Sequence, residues 1–268
     1  MADAVGPVFV AGCPRSGTSA LSWAIAAHPL YWTSVETHYF YYLLRDQFLL
    51  DVHARSCVNG SWLEVHGVSP GEFLGRLGVG LDQMMRMRSS GLQWVDGSPE
   101  NLLVGKELLT MYPEAQIIQV VRDPIEVCLS MMASGFGEAW ASDLEAAIQT
   151  WCHYAKVGLK LALTYPDHVL VVRHLDMAQN GQAVAAMLGQ RLQLDGVEEI
   201  SRFLTTTKVN SSFDPNSYVE SSPYRPSAGA VREPAEFRDR YGSVITAATT
   251  GLSEAFDQLC LSDHGFRS

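Results

Sequence analysis

An apolar run from Val8 to Ala11 opens directly into Gly12-Cys13-Pro14-Arg15-Ser16-Gly17-Thr18-Ser19. Two glycines with four residues between them let main-chain N–H groups curl round an anion, and a helix beginning at Thr18 would aim its positive dipole end at the same point. Such a loop holds a phosphate. A nucleotide triphosphatase would carry lysine where Thr18 stands, because that side chain reaches the outer phosphates while the next Ser or Thr binds magnesium. Here the lysine is absent and Arg15 lies inside the loop. This favours an anion gripped by amides and a guanidinium fork over a metal-bridged triphosphate. Cys13 offers an alternative role as a nucleophile, although no neighbouring motif supplies it with a base.

A second constellation follows later in the chain. Gln116 to Val121 reads as a buried strand that delivers Arg122 at its end, and Asp123-Pro124 then supply an N-cap and a first-turn proline for a helix. Ser130 falls about two helical turns further on, on a face able to return toward the same ligand. Taken alone, each motif is common in structural turns. Together and in this order, CPRSGTSAL and VVRDPIEVCLSM resemble the two hallmark elements of the sulfotransferases that use 3′-phosphoadenosine 5′-phosphosulfate (PAPS).

The resemblance covers about 8–190 and implies that Arg15, Ser16, Gly17, Thr18 and Ser19 bind the 5′-phosphosulfate while Arg122 and Ser130 bind the 3′-phosphate. It implies no metal. It also implies a base: Glu36-Thr37, within HPLYWTSVETHYF, matches the Glu-Thr pair of the Golgi tyrosylprotein and related sulfotransferases, whose glutamate takes the acceptor's proton. A carboxyl among Tyr31, Trp32, Tyr39 and Phe40 is expected to have a raised pKa, which suits a base near neutrality. A surface glutamate capping the next helix is the alternative, and His38 is the reserve base. Many relatives carry lysine where Gly97 stands in Trp94-Val95-Asp96-Gly97-Ser98-Pro99-Glu100-Asn101, so Arg15 is expected to carry more of the charge stabilisation. Ser98 and Pro99 read as an ordinary helix start, with Asp96 and Glu100 as possible acceptor-facing groups.

The elements that must position these residues alternate. The patterns predict a strand over 8–12, a helix over about 18–27, an aromatic-rich segment at 38–50 and a poorly patterned stretch to about 90. Then come a short strand at 92–95, a helix at 101–111, a strand at 116–121, a helix at 124–133, a long helix at 141–164, a strand at 168–172 and a helix over roughly 178–190. This order predicts an α/β fold, three-layered and P-loop-like, with a central parallel sheet flanked by helices and ligands at the carboxyl ends of its strands. One domain over 1–268 is expected, with an acceptor-side lid at about 38–90 and a long functional loop at about 211–240, where four prolines sit among serines. A disordered connector is the other reading of that loop. Asn210-Ser211-Ser212-Phe213 lies where relatives fold a loop toward the nucleotide, and Val172 to Asp176 resembles an architectural strand end.

A net charge of −10 with no Lys/Arg block argues against nucleic-acid partners, so an anionic ligand must be gripped locally. No run approaches a membrane span and no signal-peptide pattern opens the chain, so a cytoplasmic location is expected. Five scattered cysteines read as reduced thiols. The function this predicts is sulfuryl transfer from PAPS to a hydroxyl or amine of a small-molecule acceptor. A small-molecule kinase with a degenerate loop and a nucleotide-binding homologue weakened in catalysis, as Gly97 would suggest, remain as alternatives.

Overall fold

The structure, a computed structural model, describes residues 6–134, 139–207 and 234–263. In chain order the elements are β1 (Val8–Gly12), α1 (Thr18–Ala26), β2 (Tyr31–Thr33), α2 (Tyr39–Leu44), α3 (Phe48–Ser56), α4 (Trp62–Val65), α5 (Pro70–Arg88), β3 (Gln93–Asp96), α6 (Gly105–Met111), β4 (Gln116–Val121), α7 (Pro124–Ser134), α8 (Leu144–Thr164), β5 (Val169–Arg173), α9 (His174–Gln179), α10 (Gly181–Leu192), α11 (Glu198–Thr206) and α12 (Pro234–Asp263). A 3₁₀ stretch, Pro99–Val104, leads into α6.

The strands form one parallel sheet in the order β2-β3-β1-β4-β5. Both faces are covered, which is why β1, Val-Phe-Val-Ala-Gly, is apolar throughout rather than alternating. Phe9 and Ala11 enter one core with Phe40, Trp94, Leu102, Ile117 and Trp151, while Val8 and Val10 enter the other with Leu21, Ile25, Ile118, Val172 and Leu188. Phe40 and Trp94 stack at 5.6 Å, and Phe9 meets them edge-on at 5.2 and 5.5 Å. Burying each such ring contributes about 1.5–3 kcal/mol. Phe40, from the aromatic segment after Glu36, is therefore core, whereas Tyr42 on the same helix is exposed.

Three expectations about local structure need correction. The stretch to about 90 is largely helical: α5 starts at an N-cap, Ser69, whose hydroxyl accepts from the Glu72 N–H at 3.1 Å, with Pro70 in the first turn. Four glycines, Gly71, Gly75, Gly78 and Gly80, dilute the apolar periodicity there and hide the helix. Within 211–240 the last seven residues belong to α12, which begins at Pro234, and the rest of that stretch lies outside the described residues, as does Asn210 to Phe213. The helix expected from 141 begins at Leu144, because Asp143 caps it by accepting from the Ala146 N–H at 2.8 Å.

Candidate active site

β1 ends at the centre of the sheet and hands the chain to the loop. Gly12 sits in register with Val120 of β4, and a Cβ there would lie 2.5 Å from the Val120 carbonyl oxygen, so only glycine lets the two strands close at this level. The loop then turns through left-handed conformations at Arg15 (φ 71°) and Gly17 (φ 101°). Gly17 occupies the N-cap of α1 and offers no side chain to its first turn, so the orphan N–H groups and the dipole of α1 point out of the loop. Ser16 Oγ is buried without a hydrogen-bond partner among the described residues.

β4 delivers Arg122 beside this loop, and Asp123 caps α7 by accepting from the Glu126 N–H at 3.0 Å. The two motifs bond to each other. Arg15 Nε donates to Ser130 Oγ at 3.0 Å, across 115 residues of chain, and Arg122 Nη1 donates to the Arg15 carbonyl at 3.0 Å. Arg122 also pairs with Glu126 at 3.6 Å, and Trp151 Nε1 donates to the Arg122 carbonyl at 3.1 Å. Two guanidinium groups and a hydroxyl from the two motifs are thus brought together at the carboxyl ends of β1 and β4, beside the loop, a set of donors chemically suited to an anion.

On the other side of β1, Glu36 follows β2. Ser19 Oγ, in the first turn of α1, donates to Glu36 Oε1 at 3.3 Å. His38 stands between two carboxylates, with Nε2 3.5 Å from Glu36 Oε2 and Nδ1 3.3 Å from Glu100 Oε2. Burial pushes the Glu36 carboxyl above its ordinary value, Glu100 and Asp96 add to that, and His38 and the Ser19 hydroxyl pull it back. His38 is held above its usual value chiefly by its hydrogen bond to Glu100, with the nearby carboxylates helping and burial opposing.

Ser98 heads the 3₁₀ stretch, but its side chain does not cap it. Its hydroxyl turns instead to the Glu36 segment and accepts from the N–H groups of Thr37 and His38 at 2.9 and 3.1 Å. A Cβ at Gly97 would stand 2.7 Å from Ser22 Oγ, because the end of β3 lies against α1. Cys13 is buried, and burial holds its thiol well above the ordinary thiol pKa, which removes the thiolate a nucleophile needs.

Sequence reasoning missed His174, which was treated as architecture. Its ring lies against the loop, with Cδ2 2.6 Å from where a Gly17 Cβ would stand, and burial followed by the Arg122 charge lowers its pKa to about 4. The available signal was position, since His174 directly follows β5 at the edge where a parallel sheet binds its ligands. Among the described residues no group of three or more His, Cys, Asp or Glu side chains is arranged to hold a metal ion, and no helix is long and apolar enough to cross a membrane.

A profile described as "Sulfotransferase family" matches residues 7–199. The fold is similar to that of a sulfotransferase domain from the Synechococcus PCC 7002 olefin synthase, at 18% identity and a TM-score of 0.59 over 95% of each chain. It is also similar to a sulfotransferase domain from the curacin biosynthetic pathway, at 17% identity and a TM-score of 0.52 over 88% of this chain and 97% of that one. No curated protein matches.

Proposed function

The chain belongs to the sulfotransferase family, and from that membership we propose that it transfers a sulfuryl group from PAPS to a hydroxyl or amine of a small-molecule acceptor, with Glu36 as general base. The observation that carries this reading is the Ser19–Glu36 hydrogen bond of 3.3 Å. It puts a carboxylate of raised pKa one side chain away from the anion-binding loop, so a proton acceptor and an anion cradle share one lip.

The residues present fit the donor. Ser16 Oγ, buried and without a hydrogen-bond partner among the described residues, is a hydroxyl placed to donate to a phosphate or sulfate oxygen. The N–H groups of Gly17 to Ser19 and the dipole of α1 hold the phosphosulfate end, while Arg122 and Ser130 hold the 3′-phosphate. The donor supplies the activated sulfuryl group. Arg15, tied to Ser130, stabilises charge as it builds on the leaving oxygen, and Glu36 takes the proton from the acceptor. We read residues 1–268 as one catalytic domain whose acceptor side is built from 38–90.

Because the working form of Glu36 is the carboxylate, kcat falls as pH drops through its raised pKa, at a higher pH than an unperturbed glutamate would give. Glu36→Gln is expected to lower kcat by about 10²–10⁴-fold. Its affinity for 3′,5′-bisphosphoadenosine, measured by calorimetry, should stay at the wild-type value. Wild-type turnover by Glu36→Gln would remove the base assignment, and unaltered nucleotide affinity in Arg122→Ala would remove the donor assignment.

A further inference from the structure

Asp96 is a carboxylate only 2% exposed at the end of β3, and a charge so far from water is costly unless donors surround it. Its donors come from two places. Oδ1 accepts from the Ser98 N–H at 2.8 Å and the Ser98 hydroxyl at 2.6 Å, while Oδ2 accepts a short hydrogen bond from Thr37 Oγ1. Ser98, fully buried, passes the connection on by accepting from the main-chain N–H groups of Thr37 and His38. One oxygen of a buried carboxylate therefore holds Thr37 directly, while the other holds Ser98, whose hydroxyl in turn holds the main chain of residues 37–38.

That segment needs holding. His38 sits in the left-handed region at φ 55°, and the Tyr39 N–H closes a tight turn onto the Thr37 carbonyl at 2.6 Å. A non-glycine residue in that region is unfavourable on its own and persists where surrounding bonds over-determine it. At its other end the fastening is rigid, since Asp96 pairs in register with Phe9 of β1, three residues before the loop begins at Gly12. Through β3 and β1 the distance from Glu36 to the anion-binding loop is set by sheet hydrogen bonds rather than by a surface loop.

We propose that Asp96 and Ser98 are positioning residues which, acting through Thr37 and the main chain of Thr37 and His38, fix the Glu36 carboxylate relative to the loop. The proposal rests on the reading of Glu36 as the base. It assigns Asp96 no contact with the acceptor.

The test compares Thr37→Val, which keeps the shape and removes the hydroxyl, with Thr37→Ser, which keeps the hydroxyl. Turnover is expressed per bisphosphoadenosine-binding site, so that misfolded protein does not count. Thr37→Val is expected to lower kcat by roughly 10–100-fold, the scale of a small misplacement of a catalytic group. Donor KM and bisphosphoadenosine affinity should stay within about twofold, and Thr37→Ser should recover the rate. Loosening Glu36 from Ser19 and His38 removes the two groups that lower its pKa, so the acid limb of Thr37→Val should also move to higher pH. The proposal is overturned if Thr37→Val turns over normally while Glu36→Gln does not, if Thr37→Ser loses as much as Thr37→Val, or if the acid limb stays in place. Normal turnover by Glu36→Gln would be seen separately and would take this proposal down with the base assignment.

Discussion

Acidification is expected to weaken this fold through His174. The side chain begins α9 against the anion-binding loop, where burial, and then the Arg122 charge, bring its pKa from 6.5 to about 4. In the unfolded chain the imidazole takes up a proton as pH falls past 6.5, whereas in the folded protein it stays neutral until about pH 4. Between those values the unfolded state binds more protons, so stability falls with pH. The contribution is fully present above pH 6.5 and gone below about pH 4. Proton linkage makes the loss at pH 5 about 2 kcal/mol as an upper value, because part of the ring still meets solvent. Urea unfolding of the wild type and of His174→Gln at about pH 7.5 and about pH 5 measures it, provided the linear slope is unchanged. The quantity that matters is the difference between the two losses, since other carboxyls and histidines titrate in both proteins and cancel. If His174→Gln loses as much stability as the wild type over this interval, the imidazole is not held neutral by its surroundings and the reasoning fails.

Two further changes probe the same packing. Gly17→Ala places a Cβ at φ 101°, a conformation that costs an L-residue about 1–2 kcal/mol, and 2.6 Å from His174 Cδ2, so bisphosphoadenosine affinity should fall at least about tenfold. Calorimetric affinity at the wild-type value would refute this. Gly97→Ala should destabilise by about 1–3 kcal/mol, because the new methyl meets Ser22 Oγ at 2.7 Å while that hydroxyl donates to the Ser19 carbonyl at 3.0 Å. Ser22→Ala should relieve part of the loss in a double-mutant cycle, and strict additivity would count against the proposed contact.

What could be read from the chain is what lies in short windows. β1, β4 and β5 are short, mostly apolar runs rich in Val and Ile, and the Gly-containing loop and the Asp-Pro cap carry their conformations in a few residues. β2 escaped because it spans three residues, Tyr31–Thr33, too few for any period to show. α11 was missed for want of punctuation, its N-cap being Val197 with no side-chain bond. α5 did announce itself, through Ser69-Pro70 with Glu72 close behind, and the glycines outweighed that signal. In the site, the residue types at the loop, at Arg122 and at Glu36 were legible, but the bonds between them were not. Arg15 meets Ser130 across 115 residues and Thr37 meets Ser98 across 61, and only strand order decides such meetings. Ser98 illustrates the limit: its local pattern is that of a helix start, while its hydroxyl serves the segment that follows the neighbouring strand, β2.

Strand order also resolves how a chain of net charge −10 can present an anion site. With β1 in the middle, the groups divide across it. Arg122 rises from β4 on one side and is bonded to Arg15 of the loop, whereas Glu36, Asp96 and Glu100 come from the β2–β3 side. The loop, with its N–H groups and the positive end of α1, is the boundary between the two halves. On the proposed reading, a doubly anionic donor is drawn toward the β4 half and repelled by the carboxylates of the other, so the local field orients it irrespective of the overall charge. The same division keeps Arg122 away from Glu36, the carboxylate that must receive a proton if it is the base. A parallel sheet with β3 and β4 exchanged would keep every motif in the sequence and put Arg122 beside Glu36, pairing the cation with the base and abolishing both halves at once. The site is therefore a property of which strands flank β1, and the motifs become chemistry only through that neighbourhood.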